Sequence, residues 1–308
     1  MLTQPDFSLD KIKVLHIEAT TTCQAACPQC AREDSRFYNH YRDKADLSLH
    51  ELQQKFDKDF IKNLDKVMFC GNYGDPCANP DLFAMLQFFR SINPDITLGI
   101  NTNGALKSAQ WWIDLAHLMT GKNDYVVFAI DGLADTNHIY RQRVVWHKLM
   151  TNAKAFISAG GPAHWDMLVF EHNEHQVADC ERLARDMGFR WFRTKITNRF
   201  EFRPVAFINP PKNLAQSKNH FHGNITCNAQ QEQSIYLCAT GELMPCCFMG
   251  VHVFNRDNDI DRALRSKNFK AVVDSWQTVP LKICRQNCSH DHSGSHFSRQ
   301  FKKAIQLA

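Results

Sequence analysis

Six short runs rich in β-branched and aromatic residues, each followed by a longer amphipathic stretch, fill most of residues 12–200, and this alternation restricts the fold more than any other feature. The runs are KVLHIEA at 13–19, KVMFC at 66–70, ITLGIN at 96–101, YVVFAI at 125–130, HWDMLVF at 164–170 and RWFRTKI at 190–196. Strand-like runs alternating with helical patterns predict βα units on a parallel sheet. DLFAMLQFFRSI is one such helix, with Leu82, Met85, Leu86 and Phe89 on one face, and HQVADCERLARDMG another, with Gly188 placed to cap its end. Six units make an α/β fold, a partial (βα)6 TIM-like barrel, open or closed, whose active site belongs at the C-terminal ends of the strands.

Residues 16–30, HIEATTTCQAACPQC, place Cys23, Cys27 and Cys30 with spacing C-x3-C-x2-C in the loop after the first run, and no further cysteine follows until Cys70. Three thiolates can hold three corners of a cubane cluster and leave one iron open, whereas structural zinc takes four ligands, usually as two C-x2-C pairs. The chain holds 12 cysteines in all. Its N-terminus, MLTQPDFSLDKIK, lacks the apolar core of a secretory signal. No apolar run approaches the roughly 20 residues that cross a bilayer. A cytoplasmic location is therefore expected, where disulfides are disfavoured and cysteines point to metal or cluster ligation.

This trio, just after a first strand in a six-unit βα chain, resembles the radical S-adenosylmethionine superfamily over residues 12–200. The resemblance implies a [4Fe-4S] cluster on Cys23, Cys27 and Cys30. It also implies S-adenosylmethionine as cofactor, chelated at the open iron and cleaved by one electron to a 5′-deoxyadenosyl radical that takes a hydrogen atom from substrate. An electron donor such as flavodoxin or ferredoxin is implied with it. FCGNYGDPCANPDL, residues 69–82, resembles the family's Gly-Gly-Glu-Pro segment, in which backbone and acidic groups receive the cofactor's ammonium; Gly74, Asp75 and Pro76 match its end, with Asp in place of Glu. NTNG at 101–104 and AIDG at 129–132 resemble segments that approach the ribose and methionine carboxylate, which implies roles for Asn101, Asn103 and Asp131. Arg141 matches an arginine able to pair with a carboxylate, though Arg143 stands beside it. Gln29 occupies a position that is aromatic in many members, so adenine packing is expected to differ. Read as local chemistry alone, these Gly, Asn and Asp residues are also ordinary turn formers. No catalytic acid or base is assigned.

After residue 200 the alternation stops. Residues 201–224, with three prolines, read as a linker, and residues 225–308 carry six of the cysteines with short apolar runs between them. Such a segment reads as a small domain stapled by a cluster, because its apolar surface alone stabilises little. Cys227, thirteen residues, Gly241, four residues and Cys246, followed later by Cys284 and Cys288, resemble the SPASM auxiliary-cluster domain or its short twitch form. This implies an auxiliary [4Fe-4S] cluster on those four cysteines. Cys238 and Cys247 remain as alternatives, and a four-cysteine zinc site would satisfy the same pairs.

A net charge of +4 from 36 basic and 32 acidic side chains argues for no nucleic-acid partner. The basic run Arg182, Arg185, Arg190, Arg193, Lys195, Arg199 and Arg203 reads as a solvated helix face and loop. The expected partners are a peptide or small-molecule substrate, no membrane and no nucleic acid. A radical enzyme that modifies tRNA and a zinc-stabilised binding module are the competing readings.

Overall fold

The computed structural model describes residues 7–33, 44–197, 199–200, 203–212, 227–249, 259–276, 278–287 and 304–307. All six expected strands form: β1 (Val14–Glu18), β2 (Lys66–Cys70), β3 (Thr97–Thr102), β4 (Tyr125–Ala129), β5 (Ala163–Leu168) and β6 (Trp191–Lys195). They pair parallel and in sequence order. β7 (Ser234–Leu237) joins the free edge of β1 in parallel, β8 (Leu243–Met244) turns back on β7, and β9 (Ile305–Gln306) runs antiparallel along the far edge of β6. The order β8-β7-β1-β2-β3-β4-β5-β6-β9 makes an open, partial barrel.

Period-two alternation separates two faces of unlike chemistry. Outward side chains such as Ile17, Phe69, Ile100, Phe128 and Trp165 are wholly buried. They meet the apolar stripes of the covering helices. Trp112, from the helix Ala109–Leu118, lies 5.1 Å from Phe128 between ring centroids, and Phe189 lies 5.3 Å from Trp165. The helix Leu82–Ile92 buries the expected Leu82, Met85, Leu86 and Phe89, and Gly188 ends Val177–Met187 in the left-handed conformation at φ 87°. The inward face is polar. It presents His16, Glu18, Lys66, Asn101, Tyr125, His164, Asp166, Arg193 and Lys195, and the Tyr125 and His164 rings stack there at 5.5 Å.

The expected C-terminal domain shares this sheet through β7 and β8. A second join runs through Phe7, whose ring lies 5.5 Å from Phe269 and 5.7 Å from Trp276, near the helix Lys267–Ser275. Of the expected linker, 203–212 is described; the rest lies outside the described residues. Among the described residues no helix is long and apolar enough to cross a membrane.

Candidate active site

β1 delivers the cysteine loop to the C-terminal end of the sheet, where the loops after β2, β3 and β4 converge on it. The Asp75 backbone N–H donates to Thr22 O at 2.9 Å and Ala26 N–H to Gln142 O at 3.0 Å, so the loop is anchored on both sides. Gly74 is required here: a Cβ would stand 2.1 Å from Thr20 O.

Cys23 Sγ accepts the Ala25 N–H at 3.4 Å and lies 3.6 Å from Asn103 Nδ2, while Arg141 Nη1 lies 4.0 Å from Cys27 Sγ. Cys30 follows in a tight turn whose N–H bonds Cys27 O at 3.0 Å. Burial, with Asp75 adding to it, pushes the Cys23 thiol up to about 12, and burial pushes Cys27 upward as well. Without metal these groups are thiols, and iron must displace their protons.

Asp75 organises the neighbouring loops. Its carboxylate accepts from the Thr102 hydroxyl at 2.9 and 3.0 Å, Asn103 N–H at 2.7 Å, Asn103 Nδ2 at 2.5 Å and Cys77 N–H at 3.0 Å. Burial raises its pKa, and those donors oppose the rise. Gln24 Nε2 donates to Asn103 Oδ1 at 2.6 Å. Asn103 thereby links Gln24, Cys23 and Asp75. Asn101 lies on the inward face, half-buried.

Asp131, fully buried, takes Arg141 Nε at 2.6 Å on one oxygen and the Leu168 N–H at 2.7 Å on the other. Burial raises its pKa against the pull of Arg141. Gly104 and Gly132 have φ of +73° and +117°, so both turn readings hold alongside any cofactor role. Gln29 is buried, its Nε2 donating to Arg203 O at 3.0 Å and its backbone oxygen accepting from Arg199 Nη1 at 3.0 Å.

The structure thus brings together Cys23, Cys27, Cys30, Gly74, Asp75, Asn103, Asp131 and Arg141. In the C-terminal segment, Cys246 precedes the short helix Cys247–Met249, which packs on the helix Lys282–Asn287 carrying the buried Cys284. Cys227 caps the helix Asn228–Gln231, and Cys288 lies outside the described residues. Cys238 is engaged by Glu242 Oε2 at 2.9 Å and Thr240 Oγ1 at 3.0 Å. Among the described residues no three His, Cys, Asp or Glu side chains close to single-ion spacing.

Two groupings escaped the sequence reading. The first is Glu18, whose fully buried carboxylate accepts from Asn72 N–H at 3.1 Å, Tyr73 N–H at 2.9 Å, Gly74 N–H at 3.0 Å and Tyr236 Oη at 2.9 Å. Burial pushes it up to about 7 despite these donors. A charged residue closing an apolar strand was the available signal. The second is Asp166 with Arg193 and Lys195. Arg182 and Arg185 lie on a solvated helix face, paired with Asp179 and Glu181, but Arg193 and Lys195 turn inward. The basic run is therefore two surfaces rather than one.

A model of the family described as the Radical SAM superfamily matches residues 17–185. No curated protein matches. Among solved structures, SuiB of Streptococcus suis bound to the precursor peptide SuiA is similar, with a TM-score of 0.59 at 16% identity, over 88% of this chain. The match spans 65% of the length of SuiB. A histidine-tagged anSMEcpe with bound AdoMet gives a TM-score of 0.60 at 14% identity, covering 95% of this chain and 92% of that one. Native anSMEcpe with bound AdoMet and the Cp18Cys peptide gives 0.58 at 14% identity, covering 95% of each. At these identities the likeness is one of fold.

Proposed function

The chain belongs to the radical S-adenosylmethionine superfamily, and from that premise we propose that it cleaves the cofactor at a [4Fe-4S] cluster held by Cys23, Cys27 and Cys30 and takes hydrogen from a peptide. The observation that carries this reading is the convergence on one cysteine loop of Asn103 from the end of β3 and Arg141 from beyond β4. The donor set suits the group: three thiols on one loop leave a fourth iron open, and N–H groups aimed at cysteine sulfur stabilise the charge a cluster places there. When bound, cluster and cofactor would supply one-electron cleavage and the 5′-deoxyadenosyl radical.

The protein's share is placement and exclusion of water. Gly74, through its close approach to Thr20, brings the loop after β2 against the cysteine loop, where the cofactor's ammonium would be received. Asp75 holds Thr102 and Asn103 in position. Asn101 offers a polar group to the ribose, while Asn103, engaged by Asp75 and Gln24, holds the edge of the cofactor site beside Cys23. Arg141, fixed by Asp131, offers a guanidinium to the methionine carboxylate.

A peptide is favoured over a free small molecule because two of the similar folds, SuiB and anSMEcpe, hold peptides. Residues 12–200 are assigned to the radical domain, 201–224 to a linker and 225–308 to an auxiliary domain. Cys227, Cys246, Cys284 and Cys288 would ligate a second [4Fe-4S] cluster that accepts an electron from, or anchors, the substrate. The packing of 247–249 on the helix bearing Cys284 supports that set, and the engagement of Cys238 by Glu242 argues against its inclusion. A flavodoxin- or ferredoxin-type protein would supply the electron, in the cytoplasm. Anaerobic reconstitution followed by assay for 5′-deoxyadenosine is the test. Iron and sulfide incorporation without 5′-deoxyadenosine under strong reductant would refute the reading.

A further inference from the structure

Of the carboxylates near the C-terminal ends of the strands, Glu18 and Asp75 are held by neutral donors and two are paired with cations, unequally. Asp131 is matched by one cation, Arg141. Asp166 is shared by two: Arg193 Nε donates to Oδ1 at 2.8 Å and Arg193 Nη2 to Oδ2, and Lys195 Nζ reaches that same Oδ2 at 2.5 Å. His164, one inward step below Asp166, is held neutral by burial, its pKa pushed down to about 4. Glu18, on β1, spends its carboxylate on three loop N–H groups and Tyr236.

The two cations differ in freedom. Arg193 is locked by a two-point bond to Asp166, and its side chain is 7% exposed. Lys195 sits at the open end of the barrel with 32% of its side chain exposed, and an ammonium has three donors, of which Asp166 takes one. Burial lowers the Lys195 pKa, Asp166 opposes the fall, and the charges of Arg193 and Arg141 add to it. A second cation on one carboxylate, partly exposed at the C-terminal end of its strand, is a receptor for an anion.

We propose that Lys195 reads the substrate: it holds a carboxylate of the peptide, an acidic side chain or the chain terminus, with Arg193 fixed behind it by Asp166. The bound carboxylate completes a set of two anions and two cations and positions the peptide against the cysteine loop. This rests on the peptide reading above.

The reconstituted enzyme with S-adenosylmethionine is offered a peptide mixture in which every Asp or Glu sequence is accompanied by its Asn or Gln counterpart. One arm is C-terminally amidated and the other carries the free acid. Bound peptides are quantified by mass spectrometry. Acidic members should be enriched about tenfold, the value of one charge-assisted hydrogen bond. Lys195→Met should bring the ratio to about one, Lys195→Glu should reverse it, and Lys195→Arg, which keeps the charge, should retain it. Enrichment of free-acid peptides over their amidated counterparts, with Asp or Glu members and their Asn or Gln counterparts recovered equally, assigns the contact to the chain terminus. Equal recovery by the wild type in both comparisons, Asp or Glu against Asn or Gln and free acid against amide, or undiminished enrichment in Lys195→Met, overturns the proposal and leaves the peptide reading intact. Retention of no peptide at all overturns the peptide reading and this proposal with it.

Discussion

Tyr236 donates its hydroxyl to Glu18 at 2.9 Å, a bond between residues 218 apart in sequence. Glu18 ends β1 immediately before the cysteine loop, and its carboxylate also accepts the N–H groups of Asn72, Tyr73 and Gly74. One carboxylate therefore joins the strand that delivers the cysteines, the loop proposed to receive the cofactor, and the first strand of the C-terminal segment. Removing its donors or the acceptor itself has different costs. Tyr236→Phe should lower unfolding free energy by about 1–3 kcal/mol, and Glu18→Ala should cost more because three N–H groups, those of Tyr73 and Gly74 buried, lose their acceptor. Urea unfolding measures both. A smaller loss for Glu18→Ala than for Tyr236→Phe contradicts the arrangement.

Replacing Cys23, Cys27 and Cys30 together by Ala should abolish 5′-deoxyadenosine formation while lowering, not eliminating, bound iron. Iron analysis and product assay check the two halves separately. An iron-free triple variant would sink the proposal of a second cluster.

Gly74→Ala places a methyl group 2.1 Å from Thr20 O, a contact that only displacement of the loop can relieve. Affinity for S-adenosylmethionine should fall about tenfold or more, the scale of one lost charge-assisted contact. Equilibrium binding to the reconstituted protein measures it, and unaltered affinity would place the ammonium elsewhere.

Arg141→Met strands the Asp131 carboxylate in the interior, where breaking a buried ion pair typically costs about 3–5 kcal/mol. The double variant Asp131→Asn with Arg141→Met should be more stable than Arg141→Met alone. Chemical unfolding of the four members of this cycle supplies the comparison. A double variant no more stable than the single one would show that the pair contributes by packing rather than charge.

His164 is neutral in the folded chain, its pKa about 4 against an ordinary 6.5. Between those values the unfolded chain binds the extra proton, so stability is lost as pH falls from 6.5 toward 4, by at most about 1.4 kcal/mol per pH unit from this group. Glu18, raised to about 7, acts in the opposite sense between about 4.5 and 7. His164→Gln should flatten the acid limb of the stability profile, as thermal unfolding across that range would register. An unchanged slope would mean that His164 titrates normally in the folded protein.

The six central strands were legible because their outward residues are apolar and their boundaries carry turn formers, as at Asn103-Gly104 and Asp131-Gly132. Gly188 announced its helix end by the only conformation that end permits, φ 87°. What escaped was non-local. No pattern near Ser234–Leu237 says that this run pairs with β1, since the partner lies at the other end of the chain. Asp166, Arg193 and Lys195 escaped for another reason: period two turns Arg193 and Lys195 inward, but beside Arg182 and Arg185 they look like one solvated run.

The two outer edges of the six-strand sheet are both sealed late, β1 by Ser234–Leu237 and β6 by Ile305–Gln306. On the ribosome, strands β1 to β6 are all synthesised while both edges still offer unpaired backbone, the surface on which strands of other chains add. The interval between emergence of residue 195 and of residue 306 is therefore when this polypeptide is most exposed to misassociation through its sheet edges.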